Sequence, residues 1–334
     1  MKCKGPFFVS ALAFAAFLIF LSLPAPIRAE TGRGRFFLMG DGKICIKNTH
    51  TGQLACISLL KPDGSLDEEG LARIDRVFGF PTEEMGEHIS PRLLFMLDYF
   101  SDLVAPGKTI NMTSGYRSPQ YNSKLRNGGG NVAKTSIHMD GMALDFRIEG
   151  VNSKELWEIV RKRDCCGVGY YGGADIHLDA ARPRFWDAAT SKVRTGESDY
   201  NRRIYLSTDF DRYRAGETVR LSLVSVSDFG FGIRGPATIL GYSQGNHAAV
   251  TARIKSRDRN ASDCLILEDR KEAHSIYAVL PADLPKGKYR IKIDFCRRPF
   301  EQMPESTLSN EIEVVGHAPG GETRWPFGGK VGRP

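Results

Sequence analysis

The hydrophobic pattern changes its period along the chain, and the changes mark different kinds of structure. Residues 35–59 carry short alternating apolar and polar runs separated by turn residues, which predict β-strands. From residue 65 the spacing becomes that of amphipathic helices, in "SLDEEGLARIDRVFGF" and "SPRLLFMLDYFSDL". Strand and helix patterns then interleave irregularly up to about residue 200. This irregular order favours an α+β fold over a parallel, doubly wound sheet.

Two helix starts in this region carry capping residues. Ser65 and Glu68 have the spacing of a capping box, so the first helix is predicted to begin there. Ser90 precedes Pro91, which predicts an N-cap followed by proline in the first helical position. The second helix has an apolar stripe that is predicted to face the core: Leu93, Met96, Leu97, Phe100 and Leu103.

A second pattern begins near residue 200 and has a period of two. In "TVRLSLVSV" the alternating residues Val219, Leu221 and Leu223 are apolar, and in "KYRIKIDF" every second residue is apolar. Gly, Pro and Asn turns separate such runs. No long helix is evident. The pattern predicts an all-β, Ig-like sandwich over residues 203–316, which follows a first domain over residues 30–200. The tail, residues 317–334, is rich in Gly and Pro and is predicted to be flexible.

The N-terminus has the order of a secretory signal peptide. Lys2 and Lys4 precede an apolar run, and "PAPIRA" offers a cleavage point after Ala29. Residues 1–29 are therefore predicted to be removed, and the mature protein is predicted to be exported, either periplasmic or secreted, without a stable membrane span. The alternative is an uncleaved anchor, because the apolar run is just long enough to cross a bilayer.

The charge balance is only mildly basic. The chain of 334 residues has a net charge of +7, and loss of Lys2, Lys4 and Arg28 with the signal peptide would leave +4. This balance is compatible with an anionic polymer as partner but does not require one. No run of Lys or Arg suggests a nucleic acid, and none is predicted as a partner.

Six cysteines lie outside the signal peptide, where export permits disulfides. Cys45 and Cys56 flank a predicted hairpin, so a cross-strand bridge is expected between them. Cys264 and Cys296 form a second candidate pair. The adjacent cysteines at 165–166 are not expected to bridge each other, because the ring would be strained. A cysteine zinc site is disfavoured because no C-x-x-C pair is present.

Three short segments carry the candidate chemistry: "SGYRSPQYN" (114–122), "SIHMDGMALDF" (136–146) and "GVGYYGGADIHLD" (167–179). The second and third supply His138, Asp145 and His177. Two imidazoles and one carboxylate suit a catalytic zinc ion and leave a fourth position for water. Such a site predicts amide hydrolysis. Arg117, in a turn before the metal-binding stretch, is the candidate for stabilising an oxyanion, although it could simply pair with a nearby carboxylate.

Together these motifs resemble the M15-type bacterial peptidases, which share the Hedgehog/D-Ala-D-Ala peptidase fold. Residues 35–200 resemble in particular the exported murein endopeptidase branch (DUF882), with "SGYRSP-x-x-N", "S-x-H-x-x-G-x-A-x-D" and "G-V-G-x-Y…H-x-D" all present. The resemblance covers about half of the chain. It implies Zn²⁺ held by His138, Asp145 and His177, and a peptide of the cell wall as the substrate.

The chain departs from the better-known M15 carboxypeptidases at one position. Those enzymes place a catalytic Glu three residues before the last His ligand, where this chain has Ala174. A base must then come from elsewhere, and Asp179 of the "H-x-D" motif is the first candidate, with Asp175 the second. Asp179 has an alternative role, which is to orient a metal ligand.

The leading hypothesis is a zinc-dependent murein endopeptidase that acts on stem peptides or cross-links of peptidoglycan. The alternatives are a D-Ala-D-Ala carboxypeptidase, a non-catalytic cell-wall-binding protein and a purely structural exported module. The sandwich is expected to be an accessory domain that docks on the wall or on a partner protein. Tyr170 and Tyr171 are expected in the core or the cleft wall. Histidines outside the motifs, His88 and His274 among them, are expected at the surface.

Overall fold

A computed structural model describes most of the chain, namely residues 32–130, 132–191, 199–241, 249–256, 259–260 and 264–317. The predicted signal peptide and nearly all of the predicted tail lie outside these residues. Among the helices of the described ranges, none has both the length and the apolar character needed to cross a membrane.

The N-terminal part combines a seven-stranded sheet with five α-helices. Its strands are β1 (Lys43–Asn48), β2 (Leu54–Ser58), β3 (Ile110–Ser114), β4 (Ala143–Ile148), β5 (Gly167–Tyr170), β6 (Ile176–Asp179) and β7 (Arg184–Asp187). Its helices are α1 (Glu68–Phe78), α2 (Thr82–Met85), α3 (Pro91–Val104), α4 (Pro119–Asn127) and α5 (Ser153–Arg163). The strand order is β2-β1-β3-β4-β6-β5-β7, with parallel pairs only at β1–β3 and β5–β7. The predicted mixture of helices with a sheet that is not doubly wound is confirmed.

The first helix starts later than the predicted capping box. It begins at Glu68, and its N-cap, Asp67, makes no side-chain capping bond. Ser65 is engaged in the preceding turn, where its amide and hydroxyl both donate to Asp63 Oδ1. The capping-box prediction was therefore wrong, because the turn holds the serine away from the helix. The inward face is as predicted, with Leu71 and Ile74 fully buried.

The second long helix, α3, begins as predicted. The Ser90 hydroxyl accepts a hydrogen bond from the Leu93 amide, and Pro91 occupies the first turn. Four of the five predicted stripe residues are buried. Leu103 is 56% exposed and was wrongly placed in the core, because it lies in the last turn of the helix, next to its end at Val104.

The C-terminal part consists almost entirely of strands. They are β8 (Tyr205–Thr208), β9 (Arg212–Ala215), β10 (Thr218–Val224), β11 (Phe231–Ile233), β12 (Ala237–Gly241), β13 (Ala249–Ala252), β14 (Ile254–Ser256), β15 (Arg259–Asn260), β16 (Leu265–Leu267), β17 (Ile276–Val279), β18 (Gly287–Arg297), β19 (Ser306–Leu308) and β20 (Ile312–His317). One helical turn, α6 (Arg270–Ala273), interrupts them. The strands form a five-stranded and an eight-stranded sheet around their own apolar cluster. The alternating residues of β10 and β18 point into that cluster, as their period predicted.

Buried ion pairs join the two parts. Arg92 of α3 donates to Asp211, which precedes β9, at 2.8 Å, and both side chains are less than one-tenth exposed. His274, after α6, pairs with Glu87 of the N-terminal part at 2.8 Å and is only 2% exposed. The surface location predicted for His274 is therefore wrong, because the ring lies where the two parts meet. His88 is also mostly covered, between Asp75 and Glu68.

Three disulfides join cysteines of the described ranges: Cys45–Cys56, Cys165–Cys166 and Cys264–Cys296. The first links residues directly opposite each other on β1 and β2, and both this bridge and the third confirm the predicted pairs. The bridge between adjacent cysteines was not expected. Both residues lie in the bend between α5 and β5, where the chain reverses and brings the two sulfurs together.

Candidate metal centre

Sheet pairing and one short helix bring the three predicted ligands together. Strands β4 and β6 pair antiparallel, with Asp145 directly opposite His177. His138 lies on a 3-10 helix, Ile137–Asp140, which immediately precedes β4. Gly141 ends this helix with a φ of 63°, and an added Cβ there would press into the ring of Phe80. The glycine of the "H-x-x-G" motif thus lets the chain turn directly from the first ligand into the strand of the second.

One donor atom of each of the three side chains faces a common point. His138 Nε2 lies 3.2 Å from His177 Nδ1 and 3.3 Å from Asp145 Oδ1, and His177 Nδ1 lies 2.9 Å from the same oxygen. Ligands held about 2.0–2.1 Å from a tetrahedral zinc ion stand roughly 3.3 Å apart. All three residues are less than one-tenth exposed. The spacing and the nitrogen and oxygen donors therefore fit a zinc ion, and each ligand predicted from the sequence lies in the cluster.

The second nitrogen of each imidazole is held by an acceptor. His138 Nδ1 donates to the Gly115 carbonyl oxygen at 2.7 Å, and His177 Nε2 donates to Asp179 Oδ2 at 2.8 Å. Because both partners only accept, each ring carries its proton on the outer nitrogen. The inner nitrogens, which face the cluster, keep their lone pairs available for a metal ion.

Asp179 is buried and fully engaged. Besides His177 Nε2, its two oxygens accept hydrogen bonds from the Arg184 guanidinium, at 2.6 and 2.9 Å, and from the Ala181 amide. Burial opposes ionisation, but Arg184 and His177 outweigh it and hold the pKa of Asp179 well below its ordinary value. Asp175 precedes β6, is partly exposed, and pairs with Arg147.

Asp145 receives two further hydrogen bonds. Arg117 donates to its Oδ2 at 2.6 Å and also to the Ser114 hydroxyl, while the Tyr171 hydroxyl donates to its Oδ1 at 2.9 Å. Tyr171 lines the cleft, as expected, but its bond to a ligand was missed. The "GYYGG" sequence contains no signal for that bond, because it depends on the turn after β5.

The three residues of the cluster shift one another's pKa values through their charges. Burial disfavours the charge of Asp145, yet the two imidazoles outweigh burial and hold its pKa well below the usual range. The pKa of His177 is raised, since Asp145 and Asp179 together outweigh burial, whereas burial lowers the pKa of His138. A proton and a metal ion therefore compete most directly at His177 Nδ1.

Two glycines of the "GVG" segment make room for the centre. A Cβ on Gly167 would overlap the Asp179 carboxylate, and a Cβ on Gly169 would overlap the ring of Trp186. The centroid of that ring lies 4.8 Å from the centroid of the His177 ring. Strand β5 therefore has no side chain at the two positions where Asp179 and Trp186, which lie beside His177, pack against it.

A cleft of about 540 Å³ opens over the cluster. His138, His177 and Trp186 line this cleft. The C-terminal half of the chain also lines the cleft, with Arg202, Arg203, Tyr205 and Ser225.

Comparison with known proteins finds the same family. The family model described as "Peptidoglycan L,D-endopeptidase MepK" matches residues 40–186. The peptidoglycan L,D-endopeptidase MepK of Escherichia coli K12 is 31% identical over 144 residues, which are 43% of this chain and 79% of that protein. A probable MepK of Haemophilus influenzae is 38% identical over 78 residues, or 23% of this chain and 42% of that protein.

The matched segment contains the 3-10 helix, β3 to β6 and Trp186, and so includes every residue of the cluster. The C-terminal strands lie outside it. On the strength of this match and of the relative from E. coli, the chain belongs to the M15 peptidase family of the peptidoglycan L,D-endopeptidase MepK.

Proposed function

We propose that the chain is a zinc-dependent endopeptidase that hydrolyses peptide bonds in peptidoglycan stem peptides or cross-links. The observation that carries the proposal is the convergence of His138 Nε2, Asp145 Oδ1 and His177 Nδ1, within 3.3 Å of one another beside a cleft that both histidines line. The family membership and the names of the relatives support the same substrate class. The Hedgehog/D-Ala-D-Ala peptidase fold is part of this proposal for the N-terminal domain.

His138, Asp145 and His177 would hold the ion. When bound, zinc supplies a Lewis acid that polarises the scissile carbonyl and lowers the pKa of a water molecule to roughly 7. Arg117 and Tyr171 hold the Asp145 carboxylate from its outer side. Because Arg117 also lines the cleft, it can donate to an oxyanion of the substrate while keeping that carboxylate in place.

Asp179 acts in this proposal as a positioning residue and not as the base. Its oxygens are occupied by Arg184, His177 and a backbone amide, its pKa is low, and it has no exposed surface. Such a carboxylate is a poor proton acceptor. It fixes the ring of His177 and favours the tautomer that leaves Nδ1 free for a metal. Asp175, the second candidate, pairs with Arg147 instead.

The predicted domain division is retained as part of the proposal, with a signal peptide over 1–29, the peptidase over 30–200, the sandwich over 203–316 and a flexible tail over 317–334. The separate apolar clusters of the two parts support it. Export to the periplasm or the exterior follows from the signal peptide and from a substrate in the cell wall. The sandwich remains a candidate contact for the wall or for a partner protein.

The test is a digestion of purified peptidoglycan by the mature protein, with bound zinc quantified and products identified by mass spectrometry. New muropeptides are expected from the wild type and none from His138→Ala. His50→Ala, an exposed histidine outside the cleft, is the matched control. Release of D-Ala alone would indicate the carboxypeptidase alternative. Bound zinc without any product would contradict the enzyme and favour a cell-wall-binding protein.

A further inference from the structure

The cleft over the metal centre is strongly cationic. Six basic side chains line it: Arg117, Lys134, Arg182, Arg184, Arg202 and Arg203. Among the lining residues that the structure describes, Asp199 is the only carboxylate. A concave surface with this charge balance concentrates anions.

Four of these six cations pair with a carboxylate. The pairs are Arg117 with Asp145, Arg184 with Asp179, Lys134 with Asp228, and Arg203 with Asp199. The last pair is loose, with 3.5 Å between Arg203 Nε and Asp199 Oδ2, and the Arg203 side chain is 55% exposed. Arg202 donates its Nε to the backbone carbonyl of Asp199 at 3.0 Å.

Arg182 differs from the four cations that pair with a carboxylate. Within the described ranges no carboxylate forms an ion pair with it, and its side chain is exposed at the cleft. Partial burial and the charges of Arg184 and Arg203 lower the pKa of Arg182. The last two causes are repulsions between like charges, and an anion bound in this place would relieve them.

The cationic wall of the cleft, formed by Arg182, Arg202 and Arg203, lies partly beyond the segment that the family model matches. The family match ends at residue 186, whereas Arg202 and Arg203 follow it and lead into β8. The cationic wall is thus assembled from one residue of the family segment, Arg182, and two residues beyond it.

We propose that Arg182, Arg202 and Arg203 form a subsite that binds a free carboxylate of the stem peptide. The inference rests on the proposed function, because it takes the substrate to be a peptide with carboxylates at its end and on its acidic residues. Planar guanidinium groups bind carboxylates through paired, charge-assisted hydrogen bonds, which give both affinity and orientation. The subsite lies in the same cleft as His138 and His177 and so selects substrates by charge close to the metal centre.

The experiment compares two cross-linked stem peptides of the same sequence, one with free carboxylates and one with those carboxylates amidated. Steady-state cleavage by the full mature chain is measured for the wild type, Arg182→Gln and Arg203→Gln. Arg73→Gln, an exposed arginine on α1 outside the cleft, makes the same charge change as a control. Binding of both peptides to the His138→Ala variant, with and without Arg182→Gln, is measured by calorimetry and requires no cleavage.

The wild type is expected to prefer the carboxylate peptide. Arg182→Gln should raise KM for that peptide about ten-fold, the loss expected for one charge-assisted contact, and leave kcat, zinc content and cleavage of the amidated peptide unchanged. Equal effects on both peptides, or no effect on either, would overturn the subsite. If the wild type cuts neither peptide, the proposed function fails, and the binding measurement still decides the subsite.

Discussion

Arg270 of the C-terminal part donates its Nε to Asp140 Oδ1 at 2.8 Å, and Asp140 stands two residues after the proposed zinc ligand His138. The other oxygen of Asp140 accepts the Ser225 amide at 3.0 Å. The Asp140 side chain is 1% exposed and that of Arg270 is 11% exposed. The helical turn α6 and the residue that follows β10 in the C-terminal part therefore hold the 3-10 helix that carries His138.

Replacing Arg270 by methionine should destabilise the protein. The change leaves the Asp140 carboxylate buried without its main cation, and breaking a buried pair in this way costs about 3–5 kcal/mol. Urea unfolding should show the loss. Arg253→Met, at an exposed position of the same part, should change the free energy of unfolding by no more than about 0.5 kcal/mol. Equal stability of the two variants would mean that the pair does not hold the two parts together.

Asp179→Asn should weaken zinc binding without unfolding the chain. The amide cannot hold the His177 ring and the Arg184 guanidinium as the carboxylate does, and loss of such an orienting partner typically lowers metal affinity about 10–100-fold. Competition with a chelating dye measures the affinity. Asp175→Asn should leave it unchanged, because Asp175 pairs with Arg147 away from the cluster. Normal affinity with abolished cleavage would instead restore Asp179 as the base.

Gly167→Ala should destabilise the candidate metal centre by a steric clash, without removing any polar group. The new methyl group would overlap the Asp179 carboxylate, which Arg184 and His177 hold in place. Overpacking of this kind costs roughly 1–3 kcal/mol and should also lower zinc affinity. Gly173→Ala is the matched control, since a Cβ there meets nothing within 4 Å. Thermal unfolding with and without added zinc separates the two variants, and identical curves would contradict the steric argument.

Stability should fall in mildly alkaline solution. Burial opposes the charge of His274, but Glu87 and Asp140 outweigh it and raise its pKa from the ordinary 6.5 to about 9. The folded state thus binds the proton more tightly than the unfolded state. The contribution of protonated His274 to the free energy of unfolding is fully present below pH 6.5 and is lost as the pH rises through about 9.

His88 adds an effect of the same sign. Its pKa is also raised to about 9, because Asp75 and Glu68 outweigh burial. The double variant His88→Gln/His274→Gln should therefore flatten the decline of the unfolding free energy between pH 6.5 and 9, measured by urea titration at each pH. The exposed control His50→Gln should keep the wild-type slope. A slope that persists in the double variant would assign the decline to other groups.

Structural features that depend on the local hydrophobic period or on motif spacing could be predicted from the sequence. The buried faces of α1, β10 and β18 follow their patterns, and the three ligand residues lie in one cluster. Predictions failed where a distant part of the chain decides the environment. His274 has no local motif, yet Glu87 and Asp140, both from the other part, surround it.

The same limit applies within the candidate site. The "H-x-D" spacing correctly places Asp179 beside His177, but only the fold shows that Arg184 and a backbone amide occupy the oxygens of Asp179. The cationic wall of the cleft was not foreseen either. Its residues come from both parts of the chain, and no pattern along the sequence indicates that Arg182 and Arg203 are neighbours in space.

Because Asp145 pairs with His177 across β4 and β6, the candidate metal centre depends on the register of these two strands. A slip of β6 by one residue would set Ile176 or Leu178 opposite Asp145 and turn His177 to the other face of the sheet. Only a sheet in the correct register brings the three candidate ligands together. The amount of zinc bound by a refolding chain would therefore report the fraction of molecules in which β4 and β6 are correctly paired. An ion available during refolding would also draw the population toward that register, because binding energy is gained there alone.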